Sequence, residues 1–461
     1  MNELLKVNID EFKTHFRGEV ILPEDADYDK VRQVWNAMID RKPSLIARCT
    51  SPEDVVRAIE FGRTQNLLIS IRGGGHNIAG NAVCDDGLMI DLSLMKEVQV
   101  DLTTSRASVG PGCTLNDFDE AVQAHGLATP LGINSTTGVA GLTLGGGFGW
   151  LSRKYGMTID NLLSAEVVTA EGSQLHASES ENADLFWGLR GGGGNFGVVT
   201  RFEFQLHPVG PDLLSGLIVF PFDQAKQVIS RFARFTETMP EELNVWMVTR
   251  KAPPLPFLPG DVHGKEMVAL ALCYVGDPQE GEKLIEPLRG FGTVLGEHIG
   301  VQPYSAWQQA FDPLLSEGAR NYWKSHNFTQ IGDGVIDTII DYAARLPSPH
   351  CEIFIATLGG QTASVAPEAM AWSSRDARYV MNVHGRWESA AEDEHCIAWA
   401  REFFTKSQPF ASSGAYINFL TEEETDRLSF AYGVAWNRLV ELKNKYDPKN
   451  FFRMNQNIKP V

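Results

Sequence analysis

The stretch Ile71-Arg72-Gly73-Gly74-Gly75-His76-Asn77 directly follows the apolar run Leu67-Leu68-Ile69-Ser70. It predicts a strand that runs into a tight backbone loop. Because glycine lacks a Cβ, several backbone N–H groups of such a loop can converge on phosphate oxygens. Arg72 would supply a delocalised cation for the same diphosphate, and His76 would hold a nucleophilic imidazole at the end of the loop. The combination favours a covalently held flavin; the alternative is an ordinary glycine-rich turn with a surface histidine.

The composition is typical of an ordinary water-soluble globular protein. The chain has 461 residues, of which 43% are hydrophobic and 21% are charged. That length exceeds what one hydrophobic core serves, so two domains, or one large domain with an insertion, are expected. Six cysteines lie far apart without a C-x-x-C pair, so the sequence predicts neither a zinc site nor any other metal site.

The charge of the chain excludes several classes of partner. A net charge of −18 without any Lys/Arg-rich run argues against binding to nucleic acid or to anionic lipid. The N-terminus lacks a basic start followed by an apolar core, and no apolar run approaches about 18 residues. The sequence therefore predicts a cytoplasmic protein without membrane contact.

Glycine is concentrated in three places before residue 200. The second is the segment 132–149, and the third is Gly191-Gly192-Gly193-Gly194. So many glycines cost backbone entropy unless something must approach the chain closely. A large planar ligand with its phosphates supplies that reason, whereas a flexible linker would lack the apolar residues Val139, Leu142, Leu144 and Phe148.

Several helices and strands can be predicted from local patterns. Ser51 as N-cap and Pro52 at the first helical position predict a helix that reaches Phe61. Further helices are predicted over 116–125, 222–238, 278–291, 389–406 and 421–446. The stretch 253–260 contains four prolines and predicts an exposed loop.

Four motifs resemble those of the berberine-bridge-enzyme-like flavoproteins, of the vanillyl-alcohol-oxidase superfamily. They are Arg72-Gly-Gly-Gly-His76-Asn77, Gly145-Gly-Gly-Phe-Gly149, Asp184-Leu-Phe-Trp187 with Gly191-Gly-Gly-Gly-Asn195-Phe-Gly197-Val198-Val199-Thr200, and Tyr446-Asp447-Pro448-x-Asn450. The resemblance runs in order from about Pro43 to Pro460, and the bacterial 6-hydroxy-D-nicotine oxidase type is similar.

The resemblance implies an α+β fold with a PCMH-type FAD-binding domain in two parts. Residues 1–208 and the C-terminal segment 411–461 would form that domain. Residues 209–410 would form a central substrate domain, with an antiparallel sheet backed by helices.

The resemblance also implies covalent FAD, bonded at its 8α-methyl carbon to His76. Plant-type members add a second bond from a Cys in a Gly-x-Cys-Pro-Thr context, where this chain has Asn134, so a single link is expected. The residues expected to contact FAD are Arg72, Gly73, Gly74, Gly75, His76, Asn77, Gly80, Ser135, Gly138, Gly141, Leu142, Gly145, Gly146, Gly149, Asn161, Gly197, Val199, Tyr416, Asn418, Asn455 and Asn457.

Two groups that relatives use as catalytic base are missing. Many relatives carry Tyr-x-Asn-Tyr, whereas this chain ends the motif with Phe419; others use a Glu at a position that here falls near Val380 or Met381. Tyr416 is the leading candidate for the base and Lys324 is the second; Lys324 would also lower the pKa of Tyr416 if the two meet. The other candidates are Tyr322, Tyr379 and His384, although residues of these types are more often packing residues.

The resemblance implies an oxidoreductase that moves a hydride from an alcohol or amine carbon of a small molecule to flavin N5. Molecular oxygen is the expected electron acceptor, and the protein is expected to be a monomer or a homodimer. The alternatives are a dehydrogenase with another acceptor and a flavoprotein with little turnover. A nicotinamide-binding protein is disfavoured because no strand-G-x-G-x-x-G-helix unit with a downstream acidic residue is present.

Overall fold

The computed structural model describes residues 3–412 and 414–461. Its helices are α1 (Glu3–His15), α2 (Tyr28–Arg32), α3 (Pro52–Thr64), α4 (Leu115–Gln123), α5 (Val139–Leu144), α6 (Ser152–Tyr155), α7 (Ala183–Leu189), α8 (Ala225–Thr238), α9 (Pro278–Arg289), α10 (Tyr304–Gln308), α11 (Asp333–Ala343), α12 (Gln361–Ser364), α13 (Asp393–Ser407), α14 (Leu428–Tyr432) and α15 (Trp436–Tyr446). Its strands are β1 (Glu19–Ile21), β2 (Leu45–Arg48), β3 (Ile69–Arg72), β4 (Leu88–Asp91), β5 (Val98–Asp101), β6 (Arg106–Val109), β7 (Leu127–Ala128), β8 (Leu162–Val168), β9 (Gln174–Ser178), β10 (Val198–Gln205), β11 (His207–Pro208), β12 (Asp212–Pro221), β13 (Leu243–Lys251), β14 (Glu266–Tyr274), β15 (Gly296–Pro303), β16 (Arg320–Phe328), β17 (Glu352–Thr357) and β18 (Tyr379–Trp387).

The first sheet has the order β1-β2-β4-β3, in which β2, β4 and β3 run parallel. Helix α3 connects β2 to β3 and begins as the sequence predicts, because the Ser51 side chain accepts a hydrogen bond from Asp54 N and Pro52 occupies the first turn. Strand β3 ends at Arg72, so the loop 73–77 emerges at the edge of this sheet.

A second, antiparallel sheet has the order β5-β6-β10-β8-β9. The C-terminal helices share a hydrophobic core with it: Leu439 and Leu442 of α15 pack in the same cluster as Leu185 of α7 and Phe202 of β10. The end of the chain thus returns to the N-terminal half.

The largest sheet is antiparallel, with the order β15-β12-β14-β13-β17-β18-β16. One face packs on helices α8, α9, α11 and α13 and forms the largest core. The opposite face carries Trp246, which shares a core with Phe148 and Trp150 of the glycine-rich half. Mixed helices and sheets in this arrangement confirm the predicted α+β class.

The predicted helix over 421–446 is wrong in its continuity. Residues Glu422–Arg427 form 3₁₀ turns with a non-helical Glu424, and α14 ends at Tyr432, directly before Gly433, whose φ is +53°. Glycine adopts such a backbone conformation without steric cost, so it separates α14 from α15.

The proline-rich stretch is a loop with Pro254, Pro256 and Pro259 exposed, as predicted, but Leu258 within it is buried against Val219 and Met267. Within residues 3–412 and 414–461, no helix combines the length and the apolar character that crossing a lipid bilayer requires.

Candidate active site

A cavity of about 370 Å³ lies between the free face of the largest sheet, the glycine-rich half and the C-terminal segment. Its volume is in the range of small-molecule sites. Fifteen of the predicted site residues line it: Gly73, Gly74, Gly75, His76, Asn77, Gly138, Gly141, Leu142, Gly145, Gly197, Val199, His384, Tyr416, Asn418 and Asn455.

Two kinds of glycine border this cavity. A Cβ on Gly138 would lie 2.4 Å from the backbone nitrogen of Gly74, so these two glycines let the loops at 73–77 and 132–138 touch. A Cβ on Gly141 or Gly194 would meet nothing within 4 Å. The backbone at these two positions is therefore bare toward the cavity, as the close approach of a large ligand requires.

His76 lies on the cavity wall between Trp35, whose ring stacks on it at 5.0 Å, and Thr136. The Thr136 hydroxyl donates to Asn134 Oδ1 at 2.8 Å, so its oxygen is free to accept from Nε2–H of His76 at 2.9 Å. That arrangement leaves Nδ1 with its lone pair. Burial lowers the pKa of His76 to about 3, so the imidazole is neutral and nucleophilic at pH 7.

The structure pairs Arg72 with a carboxylate that the sequence did not suggest. Its guanidinium does not line the cavity but pairs with the fully buried Asp91, at 2.8 Å to Oδ2 and 3.1 Å to Oδ1, and donates to Gln33 O at 3.1 Å. Arg72 therefore holds β3 to β4 and to Gln33. In this way it fixes the start of the loop 73–77 through protein contacts.

Six further predicted FAD contacts also do not line the cavity. Ser135 is engaged by Asp312 through its backbone N–H at 2.9 Å and its hydroxyl. Asn161 donates to the carbonyls of Tyr155 and Met157, both at 2.9 Å. The remaining four are Gly80, Gly146, Gly149 and Asn457, of which the glycines pack tightly on neighbouring chain.

Tyr416 lines the cavity, but its surroundings do not favour a base. Its hydroxyl oxygen accepts hydrogen bonds from Gly147 N at 3.1 Å and Asn418 Nδ2 at 3.0 Å. Burial raises the pKa of Tyr416 to about 12 despite these bonds. The phenol is thus protonated at neutral pH.

Lys324 does not supply the cation that was expected beside Tyr416. Its ammonium lies 2.7 Å from a carboxylate oxygen of Glu423 and 3.1 Å from one of Glu424. Tyr322 also binds Glu423, and neither Tyr322 nor Lys324 lines the cavity. Tyr379 lies on the helix-covered side of the sheet, where its hydroxyl meets Thr236 at 2.6 Å.

Sequence reasoning missed the polar side chains of the sheet. Arg250 of β13, Glu352 of β17 and Asn382 of β18 all line the cavity, beside the predicted His384. A usable signal exists, because charged residues at alternate positions of otherwise apolar strands point to one face. Asn382 is 1% exposed, and neither polar atom of its amide has a partner.

Aromatic rings cover much of the remaining wall. Trp246 and Phe354 stack at 6.0 Å with an angle of 6° between their planes. Phe419 meets both Trp323, at 5.3 Å, and Tyr416, at 4.8 Å, edge to face. The lining of the cavity is thus mainly apolar, with polar side chains from the sheet, the His76 loop and the C-terminal segment among the apolar ones.

Comparisons with known proteins agree with this architecture. Residues 43–178 match the family model described as an FAD binding domain, and residues 415–459 match the model for berberine and berberine-like proteins. An FAD-linked oxidoreductase of Dictyostelium discoideum is 31% identical, over 98% of this chain and 97% of its own. The (R)-6-hydroxynicotine oxidase of Paenarthrobacter nicotinovorans is also 31% identical, over 96% of this chain and 97% of its own.

The solved structures give the same result. The crystal structure of 6-hydroxy-D-nicotine oxidase from Arthrobacter nicotinovorans matches with a TM-score of 0.86 and 28% identity, over 97% of this chain and 98% of that one. A chitooligosaccharide oxidase has the same fold, with a TM-score of 0.85 at 24% identity.

The fold and the glycine-bordered cavity define an FAD-binding oxidoreductase. More narrowly, the chain belongs to the berberine-bridge-enzyme-like family of FAD-linked oxidoreductases. The predicted family and enzyme class are confirmed.

Proposed function

We propose that this protein is an FAD-dependent oxidase whose FAD is attached covalently through His76 alone. When bound, the FAD supplies the electron acceptor, taking a hydride at N5 from an alcohol or amine carbon of a small organic molecule. The observation that carries the proposal is the position of His76: its imidazole lies at the wall of a cavity bordered by bare glycine backbone, with Nε2 bonded to Thr136 and Nδ1 free.

The residues around His76 prepare it for attack on the electrophilic 8α carbon of the flavin. Thr136 holds the proton on Nε2, and the stacked ring of Trp35 fixes the plane of the imidazole. A neutral ring with one fixed tautomer keeps its nucleophilic nitrogen available throughout the physiological pH range.

A single covalent link fits the chemistry of Asn134. Its amide cannot form a thioether, and its Oδ1 is engaged by the hydroxyl and the backbone N–H of Thr136, at 2.8 and 3.1 Å. Asn134 therefore positions Thr136, the partner of His76, and does not provide a second covalent attachment.

Cavity-lining backbone and amides fit the rest of the cofactor. Gly141 and Gly194 leave room for close approach, and Asn455 has a buried Oδ1 without a hydrogen-bond partner. An unpaired buried acceptor is costly unless a ligand donor satisfies it. Several further points stay predictions. They are the domain boundaries 1–208, 209–410 and 411–461, oxygen as the electron acceptor, a cytoplasmic location and a monomeric or dimeric state.

Acid precipitation of the purified protein tests the attachment. We expect the yellow colour to stay with the washed wild-type pellet, whereas His76→Ala releases its flavin into the supernatant. The control is His176→Ala, which removes a half-exposed histidine of β9 that does not line the cavity. Flavin that stays with the denatured His76→Ala protein would refute the assignment.

A peroxide assay with alcohols, phenols, sugars and amines tests the reaction. Peroxide release during substrate oxidation supports an oxidase. Flavin reduction without peroxide would indicate a dehydrogenase with another acceptor, and no reduction by any compound would indicate a binding flavoprotein.

A further inference from the structure

Four side chains on the cavity face of the largest sheet form a row that crosses four strands. Arg250 of β13 is the register partner of Glu352 of β17, Glu352 is the partner of His384 of β18, and His384 is the partner of Trp323 of β16. All four line the cavity. Side chains directly opposite on adjacent strands contact each other, so the row is a continuous polar strip that ends on an aromatic ring.

Hydrogen bonds fix which nitrogen of His384 carries a proton. The amide nitrogen of Asn321 donates to Ala319 O at 2.8 Å, so its Oδ1 is the atom that faces Nε2 of His384 at 3.1 Å. Since this oxygen only accepts, Nε2 of His384 must donate. The lone pair of Nδ1 then faces Glu352 Oε1 at 3.3 Å.

Nδ1 of His384 and Glu352 Oε1 therefore face each other as two acceptors with room for one shared proton. Arg250 binds the other carboxylate oxygen of Glu352 at 2.8 Å. Although burial opposes ionisation, the nearby cation of Arg250 holds the pKa of Glu352 below its ordinary value. Burial lowers the pKa of His384, so the pair lacks its proton at pH 7.

We propose that Glu352 and His384 act together as the catalytic base, accepting the hydroxyl proton of an uncharged alcohol substrate. The inference rests on the proposed oxidase function and deepens it. The substrate O–H bond breaks and its proton moves to Nδ1 of His384. The adjacent C–H bond breaks with its electron pair passing as hydride to the FAD, so the C–O bond becomes C=O. The substrate loses two electrons and the cofactor gains them.

The charges of the site select against a protonated amine. Among the described residues that line the cavity, Glu352 is the one acidic side chain, and it is already paired with Arg250. Arg386, bonded to Asn321 Oδ1 at 3.1 Å, adds a second cation behind His384. The two cations and one carboxylate would repel a cationic substrate, whereas an uncharged hydroxyl compound would not be repelled.

Asn382 provides the anchor beside the base. It lies two residues before His384 on β18, and its unpartnered amide can both donate to and accept from a substrate hydroxyl. Phe354, its register partner on β17, offers a ring for stacking. Arg250 acts as a positioning residue, because it holds the Glu352 carboxylate.

Nitrogen NMR of the FAD-loaded protein labelled with ¹⁵N-histidine tests the vacant proton site without a substrate. The charged groups that face His384 are Glu352, Arg250 and Arg386, while Asn321 and Trp323 of β16 face it uncharged. At pH 7 we expect Nε2 protonated and Nδ1 unprotonated, with Nδ1 gaining its proton only below about 6.5, the ordinary histidine pKa.

The signal of His384 is assigned as the one missing from His384→Gln or, should that variant fold poorly, the one displaced in Glu352→Gln. A His384 ring that carries a proton on Nδ1 at pH 7 would overturn the proposal, because Nδ1 could not then accept the proton of a substrate.

Anaerobic flavin reduction measures the role in turnover, with whichever uncharged alcohol or phenol of the peroxide panel reduces the wild-type flavin. Glu352→Gln and His384→Gln are each expected to slow reduction by about 10²-fold or more with the flavin spectrum retained. For wild type, kcat/KM should fall as His384 is protonated on acidification.

Glu166→Gln is the matched control, since Glu166 and His176 form a similar pair at 2.8 Å that does not line the cavity. It should reduce its flavin at the wild-type rate. Reduction by Glu352→Gln within about threefold of wild type, or turnover of protonated amines in place of alcohols, would overturn the proposal. If no compound reduces the flavin of the wild type, the proposed oxidase function fails. The NMR measurement still tests separately whether Nδ1 of His384 is unprotonated.

Discussion

At the scale of single residues, the surroundings of a side chain decide its chemistry. His76 and Tyr416 are both cavity residues that a sequence motif suggests as functional groups. Burial keeps the imidazole neutral and therefore nucleophilic, but the same burial keeps the phenol protonated and therefore unable to act as a base. One physical effect supports the first assignment and weakens the second.

Tyr416 should matter for stability. Replacing it by Phe leaves the buried N–H of Gly147 without its acceptor and removes one partner of Asn418, which should cost about 1–3 kcal/mol in the free energy of unfolding. Urea denaturation measures this loss. In the control Tyr155→Phe, the lost bond to Pro208 O is 3.4 Å long and near solvent, so the change should stay within about 0.5 kcal/mol. Equal losses in the two variants would contradict this role of the Tyr416 hydroxyl.

Sequence reasoning could single out His76, which lines the cavity, but it gave no reason to single out Glu352, which lines the cavity too. His76 is part of a local motif. The role proposed for Glu352 depends instead on its contacts with Arg250 and His384, which lie 102 and 32 residues away along the chain. The pairing of Arg72 with Asp91 could not be predicted for the same reason, because Asp91 reaches Arg72 only through the pairing of β3 with β4.

At the scale of elements, helix α15 ties the C-terminal segment to the glycine-rich loop before β10. The fully buried ammonium of Lys443 binds Asp447 at 2.7 Å and the carbonyls of Asn195 and Phe452 at 3.0 and 2.8 Å. Asn195 in turn bonds to Gln456 O at 3.1 Å. The Lys443–Asp447 pair therefore fixes the loop in which Gly193 and Gly194 line the cavity.

Removing the charge of Lys443 should destabilise the protein strongly. Lys443→Met leaves the carboxylate of Asp447 buried without its cation, which should cost about 3–5 kcal/mol in the free energy of unfolding. The control on the same helix is Lys445→Met, whose bond to Asp184 is exposed and should contribute at most about 1 kcal/mol. Denaturant titration of both variants checks the difference; a loss for Lys443→Met no larger than that for Lys445→Met would contradict the interpretation.

A substitution in helix α5 can distinguish an effect on stability from an effect on cofactor binding. Gly141 lies inside the helix with open space where a Cβ would be, so Gly141→Ala should leave stability unchanged or raise it by up to about 1 kcal/mol. The added methyl group should nevertheless lower the ratio of flavin to protein, read from the visible spectrum. Gly300→Ala of β15, also in open space but away from the cavity, is the control and should keep full flavin content. Full flavin content in Gly141→Ala would show that no ligand approaches this backbone.

At the scale of the whole molecule, the fold follows from motifs that are far apart in the chain and meet in space. Their order along the chain predicted the family and the α+β class, because glycine runs and helix signals are local features. The break between α14 and α15 was missed because Gly433 is a single residue inside a helical pattern. The polar row of the largest sheet depends on strand order and register, which no local pattern determines.

The covalent bond at His76 is the central claim, and mass spectrometry of one peptide tests it most directly. Trypsin cutting after Arg72 and Lys96 releases residues 73–96, in which His76 is the single histidine. We predict that this peptide carries the mass of one FAD less two hydrogens, with fragment ions that place the addition on His76. A peptide of unmodified mass from yellow, active protein would contradict the account.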